Sequence, residues 1–241
     1  MSEFKMPTEV IELPSKGLLY PESNPLSSGK IEMKYMTAKE EDILTNQSYI
    51  QNGTVLDKLL QSLIVSKIDY NDLLIGDKNA VMIASRILGY GSDYNIIYNG
   101  RSYTIDLSKL EHKPFDEKSV TKGVNEFKYS LPSTGTDLTF KLLTHGDEMT
   151  IKRELDGLRK INKEASPELS TRLKYIITSV NGNREPKVIR DFVDNHFLAR
   201  DSRAFREYIK TIQPDIDLTY ELENGEFIDV PINLSFFWPD A

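Results

Sequence analysis

Asp77-Lys78-Asn79-Ala80-Val81-Met82-Ile83-Ala84-Ser85-Arg86-Ile87-Leu88-Gly89 and, a little further on, Asn99-Gly100-Arg101-Ser102-Tyr103-Thr104-Ile105-Asp106-Leu107 decide the fold class of this chain. In the first run Val81, Met82, Ile83, Ala84, Ile87 and Leu88 recur at helical spacing and leave few polar sides, which predicts a buried helix over about 77–89. In the second, Asn99-Gly100 supplies both positive-φ residues of a type I′ turn and Tyr103, Ile105 and Leu107 alternate after it, which predicts a β-hairpin. Helices and antiparallel hairpins in succession along one chain mean an α+β fold.

The same two periods organise the rest. Thr37-Ala38-Lys39-Glu40 has the form of a capping box and starts a short helix to about Leu44, and Val55, Leu56, Leu59, Leu60, Leu63 and Ile64 make a second apolar stripe behind Gly53-Thr54. A second hairpin is expected from Phe127, Tyr129 and Leu131, a turn over 132–137, and Leu138, Phe140 and Leu142. Further helical stripes are Ile151, Leu155, Leu158, then Leu169, Leu173, Ile176, Ile177, Val180 behind Ser166 and Pro167, then Val188, Ile189, Phe192, Val193, then Ala204, Phe205, Tyr208, Ile209, Ile212. Leu218, Tyr220 and Leu222 alternate into Asn224-Gly225, and Phe227, Val230, Ile232 and Leu234 alternate out, a third hairpin. Before all of this, Pro7, Pro14, Gly17, Pro21, Pro25 and Gly29 break up short β-type runs, so residues 1–36 read as an extended N-terminal arm. The expected layout is an arm over 1–36, helices plus the first hairpin over 37–110, a polar linker over 111–125, and hairpin, helices and C-terminal hairpin over 126–241.

Composition narrows the chemistry. A chain of 241 residues buries roughly 70% of its unfolded surface. With no cysteine it has no disulfide, thiolate nucleophile or cysteine-based zinc site, and its three histidines, His112, His145 and His196, stand far apart. The formal net charge of -7 argues against nonspecific nucleic-acid binding, and Arg184, Lys187, Arg190, Arg200, Arg203 and Arg206 are interleaved with Glu185, Asp191, Asp194, Asp201 and Glu207, the pattern of a solvated helical face. No long apolar run predicts a membrane span, and Met1-Ser2-Glu3-Phe4-Lys5 has neither the basic nor the apolar region of a signal peptide, so a cytosolic protein is expected. Phosphate loops and HExxH, GxSxG and EF-hand patterns are absent, and Gly89-Tyr90-Gly91 follows a helix as a stop. One acid/base candidate is left, His145 with Asp147 and Glu148, but acidic residues in a first helical turn are the ordinary response to the helix dipole. The expectation is a non-enzyme without cofactor, metal or small-molecule substrate.

Two segments are suited to gripping another protein. Leu234-Ser235-Phe236-Phe237-Trp238-Pro239-Asp240 carries the only tryptophan, and such an aromatic tail must be tied down on its own domain or on a partner. Phe236, Phe237 and Trp238 are expected to pair as a final strand against Leu218 to Leu222, with Trp238 at the boundary. In the arm, Leu13, Leu18, Leu19 and Tyr20 are the matching candidates, either a partner contact that folding can dispense with or a cap on the core.

Glu12-Leu13-Pro14-Ser15-Lys16-Gly17-Leu18-Leu19-Tyr20-Pro21 resembles, almost word for word, the N-terminal signature of the T4-type bacteriophage baseplate protein family, and three further blocks agree in order: 29–44, 53–60 and 72–80. Ala199-Arg200-Asp201-Ser202-Arg203-Ala204-Phe205-Arg206 and Phe236-Phe237-Trp238-Pro239 look like shorter C-terminal blocks of the same family. The resemblance implies a baseplate hub assembly protein of a contractile-tailed phage, chaperone or resident subunit, working in the host cytoplasm or remaining in the virion baseplate. It implies partners among other hub or tail proteins and no reaction. This chain departs from the family at its hairpins. Members often carry cysteine pairs there, like a zinc ribbon, around positions held here by Tyr98-Asn99-Gly100-Arg101 and Leu222-Glu223-Asn224-Gly225.

Overall fold

The computed structural model describes residues 6–161, 167–232 and 234–237. The fold is α+β. In chain order, β1 (Thr8–Glu12) and β2 (Lys30–Lys34) precede α1 (Ala38–Leu44), α2 (Gln47–Gln51), α3 (Val55–Leu63) and α4 (Ile75–Tyr90). Then come β3 (Asp93–Tyr98), β4 (Arg101–Asp106), β5 (Phe127–Ser130), β6 (Asp137–Phe140), α5 (His145–Ile161), α6 (Glu168–Ile176) and β7 (Ile177–Val180). The chain closes with α7 (Pro186–Asp191), running into a π-helical turn Phe192–His196, then α8 (Ala199–Ile212), β8 (Thr219–Glu221) and β9 (Phe227–Asp229). The sheets are small: the pairs β1-β2, β3-β4 and β8-β9, and the triplet β5-β6-β7, all antiparallel.

Helix α4 is the hub of the packing. Ala80, Val81, Ile83, Ala84 and Leu88 are buried. Its N-terminal end reaches the second half of the chain at two points: Ile75 N–H donates to the Leu143 carbonyl at 3.1 Å and Asn79 Nδ2 to Asp215 Oδ1 at 2.9 Å. Gly76 allows that approach, because a Cβ there would lie 1.8 Å from the Pro214 carbonyl oxygen. At the other end the buried Arg86 donates to the carbonyls of Gly91 and Asp93, tying the helix stop to the start of β3. One hydrophobic cluster runs from Leu13 and Leu26 through α3, α4 and the β-strands to Phe205, Ile228 and Phe237, so residues from each expected segment share it.

Residues 8–34, read as an extended arm, fold back instead. β1 pairs with β2 from Thr8↔Lys34 to Glu12↔Lys30, and the loop between them turns through Lys16 (φ 51°) and Gly17 (φ 76°). Gly17 lies so close to the Ser27–Gly29 backbone that a Cβ would stand 2.4 Å from the Ser27 carbonyl oxygen. The expected linker is pinned as well: Gly123 N–H donates to the Leu18 carbonyl, His112 bridges to Ile216, and Asn125 Nδ2 donates to the Leu142 carbonyl. The stripe Leu169 to Val180 splits, since α6 ends at Ile176 and Ile177–Val180 form β7 on the edge of β6. Its cap candidate Ser166 lies outside the described residues, and Pro167 occupies the N-cap position.

The two Asn-Gly hairpins differ. Asn99 and Gly100 both have positive φ, 48° and 74°, which is a type I′ turn, whereas at the second hairpin only Gly225 does, at 80°. Leu222 N–H bonds the Glu226 carbonyl and Gly225 N–H the Leu222 carbonyl, the pattern of a type I turn followed by a glycine bulge. Nothing stands within 4 Å of a Cβ built at Gly100 or Gly225. Gly100→Val is therefore expected to destabilise by backbone strain alone, about 1–2 kcal/mol, with an equal melting temperature for variant and parent as the result that contradicts it.

Glu40 sits at the start of α1, fully buried, and accepts from Lys34 Nζ (2.8 Å), Ser62 Oγ (2.8 Å), Thr37 Oγ1 (2.6 Å) and Thr37 N–H (3.1 Å). Burial pushes its carboxyl up, but these donors outweigh it and hold the group at about 2. A carboxyl held low in the folded chain stabilises the fold above its ordinary value near 4.5, and this contribution drains away as pH falls towards 2. Glu40→Gln is expected to cost roughly 3 kcal/mol at pH 7 and much less near pH 2, read by denaturant titration at both. A cost independent of pH would contradict the assignment.

Candidate functional site

Four groups of residues bear on function. The first is the loop of the N-terminal signature. Leu13, Leu19 and Tyr20 are buried and Leu18 is half-buried, so these candidates for partner contact lie in or against the chain's own core. The reason is polar as well as apolar. Asp77, on the first turn of α4 and fully buried, accepts Ser15 N–H at 2.9 Å, Ser15 Oγ at 2.6 Å and the Tyr20 hydroxyl at 2.6 Å. The Tyr20 oxygen in turn accepts Leu74 N–H at 2.9 Å, just ahead of the helix. Burial pushes Asp77 above the usual carboxylate range, against the pull of the Ser15 and Tyr20 donors, and burial followed by the Asp77 charge pushes Tyr20 up.

The second is the aromatic tail. Phe236 and Phe237 are fully buried, but in a 3-10 turn, Leu234–Phe237, and not in a strand against Leu218 to Leu222. Phe236 meets Tyr94 of β3 edge to face at 5.0 Å and Phe237 at 5.2 Å. Two of the tail's apolar anchors are thus used on β3 and its neighbours, where the ring edges find complementary faces. Trp238 lies outside the described residues.

The third is a cleft of about 550 Å³ formed by α3, α4, α5 and α6. His145 and Glu148 line it; Asp147 does not, because it caps α5 through Thr144 N–H and pairs with Lys141 Nζ at 2.7 Å. The structure adds two residues that no local pattern joined to His145: Asp57, whose Oδ1 accepts Tyr70 Oη at 3.0 Å and Lys78 Nζ at 2.6 Å, and Lys78, which donates to His145 Nδ1 at 3.1 Å. Since a lysine can only donate, Nδ1 accepts and the imidazole is neutral. Burial, then the Lys78 charge, hold His145 below its usual range, opposed by Asp57 and Glu148. Across the cleft Arg172 grips Glu148 with both guanidinium nitrogens, the second at 2.8 Å. Each of these polar groups is taken up by another, and among the described residues no hydroxyl or thiol lines the cleft. The arrangement ties α3, α4, α5 and α6 together more readily than it offers a nucleophile.

The fourth is the pair of hairpins from distant parts of the chain. Asn224 Nδ2 donates to Tyr103 Oη at 3.3 Å and Asp106 N–H to Tyr220 Oη at 3.4 Å, so β3-β4 and β8-β9 lie side by side. No group of three potential metal ligands occurs among the described residues. Each hairpin buries an apolar inner face, Ile105 on one and Leu222 and Ile228 on the other. The purified protein is expected to carry no zinc and to melt at the same temperature with and without chelator; about one zinc per chain by metal analysis would refute this.

No protein-family model matches the chain, and no curated protein and no solved structure matches it. Among the described residues no helix is long and apolar enough to cross a membrane.

Proposed function

We propose that this chain acts by protein–protein binding in assembly of the baseplate hub of a contractile-tailed bacteriophage, as a chaperone or a resident subunit, and catalyses no reaction. The observation that carries the reading is the run of blocks from Glu12-Leu13-Pro14-Ser15-Lys16-Gly17-Leu18-Leu19-Tyr20-Pro21 to Asp72-Leu73-Leu74-Ile75-Gly76-Asp77, in family order. Support comes from how the blocks meet: Ser15 and Tyr20 of the first bond Asp77 of the fourth, so residues that look independent in sequence are one structural unit. A unit of that kind builds scaffold and offers no reacting group, which suits an assembly protein. Its partners are other hub or tail proteins, and the surface that meets them is outside the buried Leu13, Leu19, Tyr20, Phe236 and Phe237.

The test is a phage carrying a stop codon in this gene. Tails without hubs support the reading, and normal baseplates end it. Mass spectrometry of purified virions then separates the two roles, since a subunit is present at a fixed copy number and a chaperone is absent. A second reading, acid/base catalysis in the cleft, has the His145–Lys78–Asp57 contacts in its favour. If it held, His145→Gln would abolish phage growth while leaving the melting temperature and hub binding intact.

A further inference from the structure

We propose that the slot between strands β4 and β8 is a docking site for one extended, basic segment of a protein partner, which adds a strand between the two hairpins. The hydrogen-bond phase of each hairpin leaves backbone groups aimed into this slot. In a two-residue hairpin the residues flanking the turn, Tyr98 and Arg101, form a hydrogen-bonded pair and the pattern alternates from there. Tyr103 and Ile105 therefore bond inward to Ile96 and Tyr94, while Ser102, Thr104 and Asp106 direct N–H and C=O away from β3. The Asp106 N–H, donated to the Tyr220 hydroxyl of the other hairpin, agrees with that phase.

On the opposite side, Leu222 N–H bonds the Glu226 carbonyl and Val230 N–H the Leu218 carbonyl, which turns the backbone of Leu218, Tyr220 and Leu222 towards β9 and that of Thr219 and Glu221 outward. The Thr219 N–H is taken by Asp217 at 3.0 Å; the backbone of Glu221, Ser102 and Thr104 has no hydrogen-bond partner among the described residues. Because Asp106 lies by Tyr220 and Tyr103 by Asn224, the two edges run antiparallel and face a common space of about 460 Å³. Two exposed edges with free donors and acceptors are a template for a further strand. Neither edge is blunted by proline.

Charge selects the occupant. Glu221 and Glu223 line the slot with no ion-pair partner among the described residues, and the lone lining cation, Lys109, sits 3.8 Å from Asp106. Two uncompensated carboxylates favour a segment with lysine or arginine at alternate positions, and they oppose pairing with a second copy of this chain, which would bring the same acidic edge. The inner faces of both hairpins are already packed, so an inserted strand displaces the Asp106–Tyr220 and Tyr103–Asn224 bonds that cross the slot and leaves the core in place. The inference rests on these edges alone and holds whatever assembly the chain serves.

The experiment uses the full chain, isotope-labelled, and a synthetic peptide of alternating lysine and valine, with an N-methylated version and an alternating glutamate and valine version as comparisons. Saturable binding of the lysine peptide is expected, with amide exchange at Ser102, Thr104 and Glu221 slowed by about tenfold or more. Thr104→Pro removes one outward N–H at a position that does not bond β3, so it should keep the parent's fold and lose the peptide, and Glu221→Lys with Glu223→Lys should weaken it. Equal binding of the N-methylated or glutamate peptide overturns the proposal, as does binding that leaves those amides unprotected, or no binding at all. Protection of the same amides by self-association, without peptide, would assign the slot to a second copy and equally overturn it.

Discussion

A chain that begins at residue 29 is expected not to fold. Deleting residues 1–28 removes β1 and with it the partner of β2, and it strips Leu13, Leu19, Tyr20 and Leu26, which are 0%, 2%, 5% and 0% exposed. At about 1.5–3 kcal/mol for each buried side chain, the loss is roughly 6–12 kcal/mol, comparable with the whole stability of an ordinary domain. It also leaves Asp77, a buried carboxyl, without Ser15 and Tyr20. The measurement is circular dichroism with thermal melting of the truncated protein: loss of the cooperative transition is expected. A transition near the parent's temperature would mean that the segment is a detachable arm, as its prolines and glycines suggest when read alone.

That contrast shows where local pattern runs out. Helices α3 and α8 are legible because Val55, Leu59, Leu60 and Leu63, and Phe205 and Ile209, lie on one face, and the tertiary fold buries that face. Asn99-Gly100 is legible because its backbone needs are met by two residue types in order. The arm is not, because what folds it is a contact across 62 residues, Ser15 to Asp77, together with a left-handed Lys16 that no propensity favours. β7 was hidden for another reason: Ile176, Ile177 and Val180 fit a helical stripe as well as a strand, and only the free edge of β6 decides. In the cleft, His145 and Glu148 are one turn apart and visible together, whereas Asp57 and Lys78 reach His145 from α3 and α4 and carry no mark of it in the sequence.

Asp77→Ala is expected to cost about 3–5 kcal/mol at pH 7, more than any other single change proposed for this chain. The side chain removed is small, so little of the loss is packing; it comes from stranding the Ser15 amide, the Ser15 hydroxyl and the Tyr20 hydroxyl in the core. Double-mutant cycles separate this from a simple cavity. Ser15→Ala and Tyr20→Phe should each be costly in the parent and nearly free in the Asp77→Ala background, apart from the Leu74 amide that Tyr20→Phe also strands. Equal costs in both backgrounds would sink the network. Asp77→Asn adds a test of charge, because Asp77 and Glu40 are buried carboxyls displaced in opposite directions. Glu40, held low, stabilises the fold as it ionises. Asp77, pushed up from 3.8 by burial, is favoured protonated in the fold, so its ionisation erodes stability as pH rises from that value through its folded-state value. The deficit of Asp77→Asn against the parent should therefore shrink as pH rises, and that of Glu40→Gln should shrink as pH falls. Parallel pH profiles for the two variants would mean that the three donors around Asp77 overcome its burial and that the signature loop is held by a fully ionised carboxylate.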